Sequence, residues 1–121
     1  MTATVLVIES EPWLGDHYQR VLEKHDFTVI RAPNANAAID RLDSQIPAAI
    51  IMSLSLTGSL GLTLLHELQT YTDTGHVPVI VCSNLRQLNL DELYPYGVRR
   101  LIDSTTMLPD DLAVAVRSVT Q

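Results

Sequence analysis

The sequence predicts a three-layer α/β sandwich, in which a five-stranded parallel sheet lies between two layers of helices. Three observations support this fold class. Short apolar runs alternate along the chain with longer amphipathic stretches, which is the pattern of strand–helix–strand units. The central runs are apolar at nearly every position, as strands covered on both faces are. Several of these runs end directly in short polar residues, so a functional site is expected at the carboxyl edge of the sheet.

Five segments are predicted to be strands because they are rich in Val, Ile and Leu and are bounded by turn residues. The second is polar at alternate positions, which suits an edge of the sheet. The third is almost continuously apolar and is expected to be buried on both faces. The predicted strands are Thr4–Ile8, Phe27–Arg31, Ala48–Leu54, Pro78–Cys82 and Arg99–Ile102.

Five helices are predicted from apolar side chains at helical spacing. Ser10 is the candidate N-cap of the first, and Pro12 is tolerated in its first turn. Asn34 or Asn36 is suited to capping the second. Pro95 is expected to end the fourth, because a proline disfavours helix at the residue before it. The helices run from Pro12 to about Lys24, from the asparagine cap to about Asp43, near Leu60–Thr70, near Leu88–Tyr94 and over Pro109–Val119.

Composition and charge restrict the class of protein. The 121 residues are expected to form a single domain. The net charge of −6 argues against direct nucleic-acid binding by this domain, because phosphates would be repelled. No apolar run approaches the roughly 18 residues of a membrane span, and the N-terminus lacks the basic flank of a secretory signal. The single cysteine, Cys82, is expected to be a buried, inert thiol. A cytoplasmic location without membrane contact is therefore predicted.

Polar residues follow the predicted strands at the carboxyl edge of the sheet. They are Glu9-Ser10-Glu11, Ser53, Ser83-Asn84 and Asp103-Ser104. Half of these side chains are hydroxyls, which are poor metal ligands and have no evident base to activate them. No glycine-rich phosphate loop follows the first strand, so no nucleotide cofactor is expected. The pattern argues against catalysis and predicts neither a cofactor nor a metal ion.

Four segments carry a resemblance to a known family. The first is Val5–Pro12, the first strand with its acidic loop, and the second is Pro47–Gly61, the third strand with the loop after it. The others are Pro78–Asn84, the fourth strand with its hydroxyl, and Gly97–Ser104, which contains the fifth strand. In this order and spacing they resemble the receiver domains of response regulators, which act in two-component signalling and phosphorelays. The resemblance implies a flavodoxin-like fold with strand order 2-1-3-4-5 and five helices.

The family's phosphorylation residues are mostly replaced in this sequence. Its acidic pair falls on Glu9 and Ser10, and its phosphorylated aspartate falls on Ser53. Its switch hydroxyl is kept as Ser83, whereas its lysine falls on Ser104. The resemblance therefore implies a pseudo-receiver, with a degenerate phosphorylation pocket and no catalytic residues.

The chemistry of phosphoryl transfer is consistent with this interpretation. Acyl-phosphate formation needs a carboxylate nucleophile and a Mg²⁺ ion, which is usually anchored by one or two carboxylates. The matched positions supply Glu9 alone, and Glu11 is the only substitute nearby, at a helix start where it is expected to face solvent. The family's aromatic switch residue falls on Leu101.

A candidate interaction face lies between the fourth helix and the fifth strand, where receiver domains usually contact partners or dimerise. It consists of Tyr94, Tyr96, Arg99 and Arg100, and tyrosine and arginine are enriched in interface hot spots. The alternative is that one tyrosine caps the helix end and the other is an isolated surface residue. Trp13 is expected to pack under the loops rather than to cover the pocket mouth.

These observations predict a non-enzymatic, phosphorylation-independent signalling module that binds a protein. The partner would be a signalling protein, such as a histidine kinase or another regulator, or a second copy in a homodimer. The alternative is a small-molecule sensor or a small enzyme that uses the neutral pocket. Stabilisation by a nucleotide, a flavin or a metabolite would favour that alternative.

Overall fold

The computed structural model describes residues 3–54, 64–68, 76–83, 89–104 and 107–120. Its strands are β1 (Thr4–Ile8), β2 (Thr28–Ala32), β3 (Ala49–Leu54), β4 (Val79–Ser83) and β5 (Val98–Asp103). They pair in parallel in the order β2-β1-β3-β4-β5. The predicted fold class and strand order are confirmed, and the observed strand ends differ from the predicted ones by one residue or less.

Five helices accompany the sheet. They are α1 (Pro12–Lys24), α2 (Ala35–Ser44), α3 (which includes residues 64–68), α4 (Leu90–Leu93) and α5 (Pro109–Thr120). The outer parts of the helix predicted near Leu60–Thr70 lie outside the described residues. Across the described ranges, no helix has the length and apolar character needed to cross a bilayer.

The prediction that Pro95 ends the fourth helix is confirmed, because α4 ends at Leu93 and Tyr94, the residue before Pro95, is its C-cap. A 3₁₀ turn, Tyr94–Tyr96, follows α4 directly and runs through Pro95. Pro95 lies in the first turn of this 3₁₀ segment, where its missing N–H is not needed. Gly97 ends the turn with a left-handed φ of 89°, a conformation that glycine adopts without strain.

The predicted N-cap of α1 is wrong. Ser10 lies outside the helix and is exposed, and the N-cap is Glu11, whose side chain makes no capping bond. The carboxylate of Glu9 instead accepts a hydrogen bond of 3.0 Å from the backbone N–H of Glu11. For α2, Asn34 is the cap, and its Oδ1 accepts a 2.8 Å bond from the N–H of Ala37.

The core consists of two apolar clusters, one on each face of the sheet. Leu6 and Ile8 of β1 point to the face covered by α2, α3 and α4. Val5 and Val7 point to the opposite face, which α1 and α5 cover. Alternation along each strand therefore decides which layer of helices a strand-end residue meets.

The outer surface of α1 carries an exposed Trp13, whose side chain is 67% accessible. The expectation that Trp13 packs under the loops is wrong. The buried residues of α1 are Gly15, Tyr18 and Leu22, which share one face of the helix. Trp13 lies on the opposite face because of the helical period, so it points to solvent.

Arg31 fixes α1 to the edge strand β2. Its guanidinium donates hydrogen bonds to Asp16 Oδ1 at 2.8 Å and to Gln19 Oε1 at 3.1 Å. Gly15 makes this approach possible, because a Cβ there would lie 2.4 Å from Arg31 Nη2. This contact holds α1 against β2.

Candidate functional site

The structure brings Glu9 and Ser53 together at the carboxyl edge of the sheet. Glu9 directly follows β1, and Ser53 is near the end of β3, which pairs with β1. The Ser53 hydroxyl donates a hydrogen bond to Glu9 Oε2, and Glu9 Oε1 accepts the N–H of Glu11. The Glu9 side chain is only 6% exposed, so a carboxylate is buried there with neutral hydrogen-bond donors.

Of the other predicted pocket residues, Ser83 and Ser104 lie at the ends of the neighbouring strands, whereas Ser10 is exposed. Ser83 is buried at the end of β4, and its C=O accepts the backbone N–H of Ser104 at 2.9 Å, just after β5. Ser10 is exposed, and its side chain makes no hydrogen bond to the rest of the described chain. Four of the five predicted residues therefore lie at the strand ends or directly after them with buried or partly buried side chains, and Ser10 is on the surface.

Glu9, directly after β1, and Ser53, within β3, lie on the face covered by α1. Their predecessors Ile8 and Met52 belong to the opposite cluster, and Ser53 pairs in register with Cys82, which belongs to the α1 cluster. Alternation thus places Glu9, Ser53 and Cys82 on the same face.

Tyr18 of α1 completes this group. Its ring is 1% exposed, and its electrostatic neighbours are Cys82, Glu9 and Ser53. The sequence analysis did not identify Tyr18 as a member of the site. The available signal was a single hydroxyl-bearing residue in an otherwise aliphatic helix stripe.

Burial controls the ionisation of the two weakest acids in this group. Burial, together with a smaller contribution from the nearby charge of Glu9 and against a lowering contribution from Tyr18, raises the pKa of Cys82 to about 12. The pKa of Tyr18 is raised above its ordinary value, first by burial and then by the charges of Cys82 and Glu9. Both groups are neutral at physiological pH, and the buried thiol predicted for Cys82 is confirmed.

Cations are absent from the immediate surroundings of Glu9 in the described ranges. The ion pairs found there join His25 to Asp110 and Arg31 to Asp16. The sequence contains a single lysine, Lys24, which lies in the last turn of α1, at the end of the helix far from Glu9. Nor do the described residues contain a group of three or more metal-binding side chains suitable for an ion.

Three of the four residues predicted for the interaction face are on or near the surface. Tyr94 is 55% exposed, and the Arg99 guanidinium lies 4.2 Å from the centre of its ring. Arg99 also donates to the C=O of Tyr94 at 3.2 Å. Arg100 is exposed and donates to the C=O of Arg99 at 2.7 Å. Tyr96 is half-buried and packs against the core, so it is not an isolated surface residue. Tyr94 is the C-cap of α4, as the alternative expected of one tyrosine.

A groove of about 430 Å³ continues this surface between β5 and α5. Its walls combine Arg100 with the apolar side chains of Ile102, Met107 and Val114 and with Asp111. Val114 is 60% exposed. The groove was not anticipated from the sequence, because it depends on how α5 lies against the edge strand.

Comparison with known proteins agrees with the fold. A curated relative, histidine kinase P4 of Formosa agariphila, is 24% identical over 86 residues, which are 71% of this chain and 6% of the kinase. The chain therefore spans only a small part of that relative's length. A sensor protein from Polaromonas sp. JS666 superposes with a TM-score of 0.87 at 21% identity, covering 98% of this chain and 95% of that one.

A CheY-like response regulator receiver domain from Methylobacillus flagellatus superposes with a TM-score of 0.83 at 14% identity, covering 98% of this chain and 99% of the other. At these identities the superpositions establish the fold alone. Residues 5–102 also match the response regulator receiver domain family, over most of the chain and all five strands except the first residue of β1 and the last residue of β5. The chain therefore belongs to the response regulator receiver domain family.

Proposed function

We propose that this receiver domain works without phosphorylation, as a pseudo-receiver that regulates through protein contacts and has no enzymatic activity. One observation carries the proposal. Ser53, which is matched to the family's phosphorylated aspartate, donates a hydrogen bond from its hydroxyl to the buried carboxylate of Glu9. A serine cannot form the acyl phosphate that an aspartate forms, and Glu9 beside it would repel the negative charge of an incoming phosphodonor.

The residues around Ser53 are a poor fit to the Mg²⁺ ion that the family uses. Mg²⁺ prefers octahedral oxygen coordination and is usually anchored by carboxylates. Glu9 is the single buried carboxylate of the described pocket, and its two oxygens are engaged by Ser53 and by the N–H of Glu11. Glu11 itself is exposed at the N-cap of α1. We therefore derive no chemical step that passes through a metal ion.

The pocket is tested by phosphorylation with a small phosphodonor. The protein is incubated with acetyl phosphate and Mg²⁺, and its intact mass is measured. The matched control is the triple variant Ser10→Asp, Ser53→Asp, Ser104→Lys, which restores the charges of the family pattern. We expect the control to gain a phosphoryl group and the natural sequence to stay unmodified. Phosphorylation of the natural sequence at a specific residue would overturn the proposal.

We further propose that the partner contacts the surface formed by Tyr94, Arg99 and Arg100. The stacking of Arg99 on Tyr94 holds both side chains in place, which lowers the entropy lost when a partner binds. The partner class is a signalling protein, such as a histidine kinase or another regulator, or a second copy of the chain. The buried thiol of Cys82 agrees with the cytoplasmic location that we include in this proposal.

The face is tested with the variant Tyr94→Ala, Arg99→Ala, Arg100→Ala, which spares the half-buried Tyr96. The matched control is Arg20→Ala, because Arg20 is exposed on α1, away from the face. Self-association is measured by analytical ultracentrifugation, and binding to candidate kinases by titration. We expect the triple variant to lose the interaction and the control to keep it. Equal binding by the triple variant and the control would show that the interface lies elsewhere on the protein. No observation on the described residues favours the small-molecule sensor or enzyme.

A further inference from the structure

The Tyr18 hydroxyl poses a problem that the proposed function does not address. It is fully buried, and it has no hydrogen-bond partner within the described residues. Leaving a buried hydroxyl unpaired costs about 1–3 kcal/mol, so native proteins rarely do so. Tyr18 also differs from the other buried residues of α1, which are aliphatic or glycine.

Three groups surround the hydroxyl: Cys82, Glu9 and Ser53. Ser53 and Cys82 are register partners on β3 and β4, and both face α1. The phenol therefore approaches Ser53 and Cys82 from the α1 side of the sheet. Small rotations of the phenol or of the Ser53 side chain change the hydrogen-bond geometry without moving the backbone.

Among these three groups, Ser53 is the best acceptor. The two oxygens of Glu9 already accept from Ser53 and from the N–H of Glu11. A thiol such as that of Cys82 is a weak acceptor. Ser53 Oγ has two lone pairs, and donating its own proton to Glu9 makes it a stronger acceptor, since neighbouring hydrogen bonds polarise one another.

We infer that Tyr18 belongs to the pocket: its hydroxyl donates to Ser53 Oγ, which in turn donates to Glu9. This relay joins α1 to the ends of β3 and β1. Tyr18 is thus a positioning residue, because it holds the Ser53 hydroxyl in the orientation that satisfies the buried carboxylate. The inference goes beyond the proposed function, and it stands whether or not the domain is phosphorylated.

A double-mutant cycle on the full chain tests the relay. Tyr18→Phe removes the hydroxyl with almost no change in shape, and unfolding in urea reports its effect. If Tyr18 donates to Ser53, the substitution raises the unfolding equilibrium constant about fivefold. In the Ser53→Ala background the hydroxyl has lost its acceptor, so Tyr18→Phe is expected to have no effect or to stabilise the protein.

Cys82→Ala is the matched control, because it removes the other neighbour on the adjacent strand. We expect Tyr18→Phe to raise the unfolding constant about fivefold in this background as well. The inference is overturned if Tyr18→Phe stabilises the natural sequence, or if its effect is unchanged by Ser53→Ala. It is also overturned if the effect disappears with Cys82→Ala, since the thiol would then be the acceptor.

Proton NMR of the natural sequence gives a second measurement that needs no variant to fold. A hydroxyl proton held in the relay exchanges slowly with water, so the Tyr18 hydroxyl is expected as a resolved resonance with a cross-peak to the β-protons of Ser53. A purely structural role in packing the ring would not produce this signal. A cross-peak to Cys82 without one to Ser53, or rapid exchange of the hydroxyl, would overturn the inference.

Discussion

Placing an aspartate at position 53 is the sharpest perturbation of the pocket. In Ser53→Asp, a second carboxylate replaces the hydroxyl that now contacts Glu9. Two unit charges about 4 Å apart repel each other by about 4 kcal/mol at an effective dielectric constant near 20. Ser53 is only half-buried, so part of this repulsion is screened by solvent. We expect a loss of about 2–4 kcal/mol in unfolding free energy relative to the neutral isostere Ser53→Asn.

The assay is urea unfolding at pH 7, followed by circular dichroism, with and without millimolar MgCl₂. Mg²⁺ is expected to recover part of the loss in Ser53→Asp, because two carboxylates provide a better site than one. It should leave Ser53→Asn and the natural sequence unchanged. Equal stability of the aspartate and asparagine variants in Mg²⁺-free buffer would refute the reasoning, because a cation would then already neutralise this corner of the sheet.

Three further predictions concern the scaffold. Gly15→Ala is expected to change the stability of the natural sequence little, because the helix gains about 1 kcal/mol while Arg31 loses its contacts across α1. In an Arg31→Ala background the same substitution should stabilise the protein by about 1 kcal/mol. Equal effects in the two backgrounds would contradict this reasoning. Alkaline pH should destabilise the fold, because Cys82 keeps its proton in the folded state up to a pKa of about 12, whereas the unfolded thiol ionises near 9.0. The unfolding free energy should therefore fall by about 1.4 kcal/mol for each pH unit between these two values. Cys82→Ala should flatten that part of the pH profile of urea unfolding. Asn34→Ala should cost about 1 kcal/mol in thermal unfolding through loss of the α2 cap, whereas Asn36→Ala, the other candidate cap, should cost a few tenths.

The fold was predictable because its signals are local and repeated. Strand runs such as Ala48–Leu54 differ from helical stretches in both period and length, and the alternation of the two types leaves few topologies. The pocket was predictable in outline for the same reason, since parallel strands bring their carboxyl ends to one edge. Glu9 and Ser53 come from strands 44 residues apart in sequence, and the register of β1 and β3 brings them together.

The details of the site depended on long-range contacts that local patterns do not contain. Ser10 has a better capping side chain than Glu11, yet the carboxylate of Glu9 bonds to the free N–H at the start of α1. Tyr18 fits the apolar stripe of its helix, and nothing in the stripe indicates that its hydroxyl reaches the pocket. Trp13 was expected to be buried because it is a large aromatic residue, but its side chain is exposed.

The arrangement of the two sites on the sheet bears on how such a domain transmits signals. Glu9, Ser53 and Tyr18 lie on the face covered by α1, whereas Leu101 packs in the cluster on the opposite face and has no hydroxyl to offer the pocket. Tyr94 and Arg99 belong to the α4 side of the edge strand. Within the described residues, the contact between Ser53 and Glu9 continues as a hydrogen bond to the start of α1, whereas Leu101 offers apolar packing on the side of the proposed partner face. It follows from the proposed function that partner binding at Tyr94 and Arg99 is insensitive to Ser53→Ala. Weaker binding by Ser53→Ala, measured by titration beside the natural sequence, would show that the pocket still controls that face.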